Sequence, residues 1–165
     1  MTGWAFMAIG TPVAQGSKRH VGNGVMVESS KALKPWRDSV VSAGFGAGPC
    51  LSGPVAVRMI FTLPRPRSAR KVDERPSKKP DVGKLARAVE DSITSAGLWI
   101  DDAQVVDYFR LAKVWKGHDS EALPVPGVLV AAVEILPGRD TALELFDHAR
   151  LTLKRAWSIA EGITA

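Results

Sequence analysis

The sequence predicts a small mixed α/β domain of the α+β type, with a sheet of about five strands covered by helices. Short β-rich runs alternate with helix-period segments along the 165 residues. Hydrophobic residues make up 45% and charged residues 24%, which is typical of a globular chain and unlike a disordered one. The length suits one domain spanning residues 1–165.

The first third of the chain predicts two strands, a hairpin and a helix. Trp4–Ile9 is a short apolar run, and Val21–Val25 contains an Asn-Gly pair, which supplies the positive φ angles of a tight hairpin turn. Pro35 suits the first turn of a helix that should end near residues 44–48. The next β-rich run is Val55–Leu63.

The middle of the chain changes to helical and then back to β periodicity. Apolar residues recur at helical spacing over Val82–Ala96, with Asp81 placed as the N-cap and Gly97 as the C-terminal stop. Ala103–Val114 and Gly127–Leu136 predict two further strands.

An amphipathic helix is predicted from about Asp140 to Glu161. Its polar face mixes acidic and basic residues, which is unlike a membrane-binding helix. No apolar run approaches the roughly 18 residues of a membrane span, and no signal peptide is evident at the N-terminus. One cysteine, Cys50, excludes an internal disulfide framework. We therefore expect a cytoplasmic protein with no membrane partner.

Positive charge is concentrated between residues 64 and 80. The whole chain has a net charge of +5, and this segment, with seven basic and two acidic residues, carries all of it. Its four prolines exclude a helix or a central strand. It is either a solvated linker or a mobile arm that follows nucleic-acid phosphates. Its basic residues, with three neighbours that extend the surface, are Arg65, Arg67, Arg70, Lys71, Arg75, Lys78, Lys79, Lys18, Arg19 and Lys84.

Three carboxylates are candidates for a shared site. If the chain reverses at Gly97, the five residues to Asp102 can span about 16 Å at the extended-strand rise. Asp101 and Asp102 would then return to the start of the helix, next to Asp81. Such a cluster suits Mg²⁺, which prefers oxygen ligands and keeps several waters. The alternative is that Asp81 only caps the helix and that Asp101 and Asp102 are solvated.

Two sequence blocks resemble the RusA family of Holliday junction resolvases. They are Lys79–Leu85, which reads KPDVGKL, and Gly97–Asp107, which reads GLWIDDAQVVD. Residues 10–19 also fit the opening strand and basic turn of that family. The resemblance covers about residues 4–136 and leaves the C-terminal helix as an addition.

The resemblance implies a homodimeric endonuclease that binds four-way DNA junctions and makes two symmetric nicks with Mg²⁺, or with Mn²⁺ in its place. It implies that Asp81 and Asp102 bind the metal with Asp101 beside them, and that Arg87 takes the place of a basic residue, usually Lys, that could contact the scissile phosphate. It also implies a bacterial or phage-infected host cell.

One position departs from the family pattern. The family usually has a second acid two residues after the first, and this chain has Gly83 there. Two alternatives to an active resolvase therefore stay open. One is a catalytically weakened or inactive junction-binding protein, and the other is a protein-interaction module that uses the basic loop.

Overall fold

The computed structural model describes residues 3–16, 19–20, 26–27, 31–138 and 140–163. Within them the chain forms six strands, three α-helices and one short 3₁₀ turn at Asp102–Gln104. In chain order the strands and α-helices are β1 Gly3–Ile9, β2 Arg19–His20, β3 Met26–Val27, α1 Leu33–Gly44, β4 Val55–Leu63, α2 Val82–Ser95, β5 Val105–Trp115, β6 Gly127–Glu134 and α3 Thr141–Ile163.

The main sheet has the strand order β1-β6-β4-β5. β6 pairs antiparallel with both β1 and β4, whereas β4 and β5 are parallel. A parallel pair needs a long crossover, and the basic loop with α2 provides it. The mixed α+β class is therefore confirmed.

The expected count of about five strands is wrong for this sheet, which contains four. The difference lies in β2 and β3, which have two residues each and pair only with each other among the described residues. Strands this short form a separate ribbon and do not extend the main sheet. The predicted hairpin turn at Val21–Val25 lies outside the described residues.

Helices cover both faces of the sheet. α1 and α2 pack on one face around a core that includes Trp4, Met59 and Leu85. α3 packs on the other face, where Ile60 and Leu145 are fully buried. Burial on both sides explains why β4 and β6 are almost continuously apolar. The predicted C-terminal helix is confirmed as the cover of the second face.

The predicted ends of α2 are also confirmed. The Asp81 side chain accepts a hydrogen bond from the Lys84 amide at 3.1 Å, as an N-cap does. Gly97 has φ +71°, the left-handed conformation that ends many helices. These two residues fix where the polar ends of α2 lie.

The edge strand β5 exposes apolar side chains. Its register against β4 slips twice, which leaves Val106 and Phe109 without direct partners. Val106 is 61% and Phe109 43% exposed, and Ile100 just before the strand is 65% exposed. We call Ile100, Val106 and Phe109 the β5-edge patch. None of the helices in the described residues combines the length and hydropathy that a membrane span requires.

Candidate functional site

The N-terminal end of α2 presents one acid and several cations. Asp81 and Lys84 are both exposed, and Asp81 caps the helix as the alternative interpretation expected. Gly83 lies between them with open space around it, because a Cβ added there would meet only the Asp81 carboxylate oxygen, at 3.4 Å. This end of α2 can therefore accept a second carboxylate that the sequence does not supply.

A lysine on β5 holds the segment that leads into Asp81. The Lys113 ammonium group donates hydrogen bonds to the carbonyl oxygens of Lys78, at 2.5 Å, and Pro80, at 2.8 Å. Lys78 and Lys79 keep their own side chains exposed. The brace thus fixes the backbone next to Asp81 and leaves two ammonium groups directed to solvent.

Two of the loop arginines predicted to bind DNA are used within the loop. The Arg65 guanidinium lies 4.6 Å from the Trp115 ring centroid and donates to the carbonyls of Arg70 and Asp73. Arg70 donates to the Asp73 carboxylate at 2.9 Å, and this bond, more than any other cause, holds the pKa of Asp73 below its usual value. The loop is therefore folded on itself, unlike the mobile arm that its composition suggested.

A third loop arginine belongs to an ion-pair network on the sheet. Arg75 lies 3.2 Å from the Asp119 carboxylate, which also accepts from Arg110 on β5. Arg110 and its neighbour Arg58 on β4 both pair with Glu121, one of the few buried charged residues among those described. This network ties the basic loop and the 119–121 turn to the sheet, so Arg75 stabilises the fold as well as adding charge.

The remaining cations of the predicted DNA-binding set are uncommitted. Among the described residues, their side chains make no hydrogen bond or ion pair, and all of them are exposed. They are Arg67, Lys71, Lys78, Lys79 and Lys84, which we call the free cations. Lys18 lies outside the described residues, and of Arg19 only the backbone, in β2, is described.

The second acidic segment lies at the start of β5. Asp101 caps the 3₁₀ turn by accepting from the Ala103 amide at 2.8 Å, and the Gln104 side chain accepts from the Asp101 amide at 2.9 Å. This capping box occupies the Asp101 carboxylate. Asp102 is the first residue of the turn, and its side chain is exposed.

Asp102 lies near Glu90 on α2, an acid that its distance of about 13 Å along the helix from Asp81 makes a poor replacement for the acid missing at Gly83. The pKa of Glu90 is raised to about 7, first because the carboxyl group is partly buried, then because the charges of Asp102 and Asp91 are close; the charge of Arg87 lowers it. The Tyr108 hydroxyl donates to the Glu90 carboxylate. Only the folded chain reveals this pair, since Glu90 looks like any polar residue on an exposed helix face.

The three predicted acids do not converge. Within the described residues, no three His, Cys, Asp or Glu side chains are grouped so that they could hold a metal ion. The expectation that Asp81, Asp101 and Asp102 form one pocket is therefore wrong for the single chain. Glu90 lies nine residues along α2 from Asp81, or about 13 Å at the helical rise, and Asp102 lies on the Glu90 side.

Contacts remote in sequence explain the difference. Trp99 forms a parallel bridge with Leu51, and the Gln104 side chain donates to the carbonyls of Leu51 and Gly53 at 3.1 and 2.8 Å. These contacts hold the chain after Gly97 at the beginning of β5. The chain runs back along α2 only in β5, which follows Asp102 in the sequence.

The acids that do meet fit a smaller metal site. Mg²⁺ in proteins is often held by one or two carboxylates, with waters and substrate phosphates completing its shell. Asp102 and Glu90 are two neighbouring carboxylates, and the charge of Asp102 adds to burial in raising the pKa of Glu90. Their donor chemistry suits one hydrated divalent cation, whereas Asp81 lies outside this pair.

A comparison with family models matches residues 10–121 to the endodeoxyribonuclease RusA model. This is 112 of the 165 residues and includes the basic loop, α2, the 3₁₀ turn and β5. The chain belongs to the RusA endodeoxyribonuclease family. The resemblance seen in the sequence is thus confirmed, and the family is one of Holliday junction-resolving endonucleases. No curated protein matches the chain.

Some elements of the fold lie outside the residues that match the RusA model. β6 lies beyond residue 121, and so does α3, the helix that covers the second face of the sheet. Both ends of α2 lie inside the match. The match therefore spans Asp81, Asp102, Glu90 and the free cations, and it does not span β6 or α3.

Proposed function

We propose that this RusA-family protein resolves Holliday junctions and related branched DNA by divalent-metal-dependent hydrolysis, with paired nicks in opposing strands. The observation that carries the proposal is the setting of Asp81, inside the matched region. Lys78, Lys79 and Lys84 lie within three residues of it in the sequence, their side chains are exposed, and none of them makes a described hydrogen bond or ion pair. Such a protein works on cellular or phage DNA, so we place it in the cytoplasm of a bacterial or phage-infected cell.

The free cations would bind the DNA backbone. Lysine ammonium groups contact phosphates as point charges and carry no base specificity. Binding to four-way DNA through this surface is therefore independent of sequence and falls as salt rises, because each phosphate contact releases counterions. The loop that presents the surface is shaped by Arg65 and Arg75, so substitutions at these two positions would act through loop shape.

Asp102 and Glu90 are the residues that we assign to a Mg²⁺ or Mn²⁺ ion. A cation bound there would supply positive charge for the phosphate oxygens and lower the pKa of a water molecule. Arg87 is exposed one turn before Glu90, where its guanidinium can hold a phosphate oxygen by two hydrogen bonds. Asp101 would act by holding the 3₁₀ turn, and thereby Asp102, in place.

Asp81 would join the site across a homodimer. The family resemblance assigns Asp81 and Asp102 to one centre, yet in one chain Asp102 lies near Glu90, about 13 Å along α2 from Asp81 at the helical rise. We infer that Asp102 and Glu90 of one subunit work with Asp81 of the partner subunit. The β5-edge patch supports a second copy, since exposed apolar residues along an edge strand offer a surface to a partner chain.

Cleavage of a synthetic four-way junction with labelled strands tests this function. With Mg²⁺ or Mn²⁺ we expect nicks at symmetric positions of two opposing strands, and no cutting of a linear duplex of the same sequence. Equal cutting of the duplex, or no cutting with either metal, would contradict the proposal.

Mixed dimers test the shared site. Asp81→Asn keeps a good N-cap, and Asp102→Asn keeps the shape of the side chain. Each variant alone should be inactive. After subunits are exchanged at random, half of the dimers are heterodimers with one intact site, so about a quarter of the nicking should return. If no activity returns, each centre belongs to one subunit.

A junction-binding protein with weak cleavage is the second candidate. Gly83 favours it, because the open space beside Asp81 is where the family usually has another acid. Strong junction binding with trace cleavage would support this candidate. Restoration of the acid, described in the Discussion, separates the two.

A further inference from the structure

A cavity of about 280 Å³ lies beneath the basic loop, between Thr11, the end of β4 and Trp115. Its apolar lining residues are Leu63, Ala69, Trp115 and several prolines, most of them from the loop. The rigid proline rings suit a planar ring system. The cavity is separate from Asp102 and Glu90, and the proposed cleavage chemistry does not use it.

The wall of the cavity is braced by contacts already described. Arg65 lies over the Trp115 ring and donates to two loop carbonyls. Pro76 is buried in the lining, and Ala69 packs against the main core. The cavity is thus part of the folded loop, and a ligand can enter it without the loop first having to fold.

The lining of the cavity carries both signs of charge. The Asp73 carboxylate is already engaged, because it accepts hydrogen bonds from Arg70, which hold its pKa below the usual value. Lys78 and Lys79 line the same cavity and are exposed cations. The apolar part of the lining therefore suits a base, and the two ammonium groups suit the phosphates on either side of it.

We propose that this cavity takes one unstacked nucleobase from next to the branch point of the DNA, with its flanking phosphates on Lys78 and Lys79. This inference rests on the proposed function, because it needs the protein to bind branched DNA. Since Lys79 and Pro80 line the cavity directly before Asp81, the captured base would set which phosphate lies near that acid.

A set of four-way junctions with one unpaired base tests the inference. Each junction carries an abasic residue opposite one base within three nucleotides of the branch, and binding is measured in EDTA to prevent cleavage. Extruding a base costs less when it has no partner. For one position of the abasic residue, we expect wild type to bind that junction about tenfold more tightly than it binds the fully paired junction.

Two variants replace an exposed serine of the lining by phenylalanine, whose larger side chain is meant to fill the cavity. Ser77→Phe and Ser68→Phe should bind the paired and unpaired junctions equally, while Ser42→Phe on the exposed face of α1 should behave as wild type. A gain that persists in both filled variants would overturn the inference. So would the lack of a gain at every position in a protein that binds and cuts the paired junction. If the protein binds no junction at all, the proposed function fails first and this inference fails with it.

Discussion

The Lys113 ammonium group on β5 donates a 2.8 Å hydrogen bond to the carbonyl of Pro80, the residue directly before Asp81. A second bond from the same group reaches the carbonyl of Lys78. One side chain on the sheet thus fixes the backbone of the whole Lys78–Asp81 segment. Lys113 is a positioning residue, because it is paired with backbone oxygens and leaves the acid and the neighbouring lysines to face solvent.

Substitution of Lys113 by Met should therefore affect both stability and DNA binding. Losing two hydrogen bonds from a charged donor should lower the free energy of unfolding by about 2 kcal/mol, measured by urea denaturation. Affinity for a four-way junction should also fall, and Lys113→Arg should restore part of it. Lys116→Met is the matched control, since Lys116 is exposed near the same strand end. Equal effects of Lys113→Met and Lys116→Met would show that Lys113 contributes to stability and DNA binding only through its positive charge.

The free cations should determine how salt weakens DNA binding. Replacing Lys78 and Lys79 together by Gln removes two phosphate contacts, so the slope of log affinity against log salt should become shallower by about 2. Lys154→Gln with Arg155→Gln removes the same charge from the exposed face of α3 and should leave the slope near its wild-type value. If replacing Lys78 and Lys79 leaves the slope unchanged, the DNA does not contact these two lysines.

Glu90 should make metal-free stability depend on pH. Its pKa of about 7 in the folded protein lies above the usual value of 4.5, so the folded state binds the proton more tightly than the unfolded state does. This contribution to stability is present below pH 4.5 and is lost as the pH rises to about 7. In EDTA, Glu90→Gln should raise Tm relative to wild type at pH 8 and make little difference at pH 4.

Added metal gives the complementary test of Glu90. If Glu90 and Asp102 hold the ion, Mg²⁺ or Mn²⁺ should raise Tm of wild type at pH 8, because ligand binding stabilises the folded state. The shift should be small in Glu90→Gln. An equal shift in both proteins would show that Glu90 does not bind the metal. The predicted effect of Glu90 on the pH dependence of stability would still stand.

Gly83→Asp should strengthen cleavage. The new side chain has room, and a carboxylate in the first turn of α2 interacts well with the helix N-terminus, by about 0.3–1 kcal/mol. Its repulsion from Asp81 opposes this gain, so stability should change little without metal. Nicking with Mn²⁺ should rise, and Gly83→Asn should give no rise. If neither variant differs from wild type, the missing acid does not limit the reaction.

The sequence predicts well those features that depend on neighbouring residues. Asp81 as a cap, Gly97 as a stop and Val55–Leu63 as a strand follow from local conformational preferences, and all three are confirmed. The family is identified at the same level, because its motif occupies two short blocks. Periodicity cannot show whether short strands join a larger sheet, which explains the error in the strand count.

Site geometry depends on contacts that the sequence does not encode locally. Asp102 is placed by Gln104, whose bonds reach carbonyls more than 50 residues away, so an estimate from chain length put it at the wrong end of α2. Composition likewise counts Arg65, Arg70 and Lys78 as equal cations. Only the fold shows that the two arginines are paired within the loop and that the lysine side chain is exposed, without a hydrogen bond or ion pair among the described residues.

Wild type and Asp102→Asn should be compared for binding and for cleavage of one four-way junction. In our proposal the free cations bind the DNA, and Asp102 with Glu90 holds the metal that cuts it. In EDTA the two proteins should bind the junction with equal affinity. With Mg²⁺ or Mn²⁺, Asp102→Asn should lose cleavage by about 100-fold or more. Cleavage at the wild-type rate by Asp102→Asn would contradict the account.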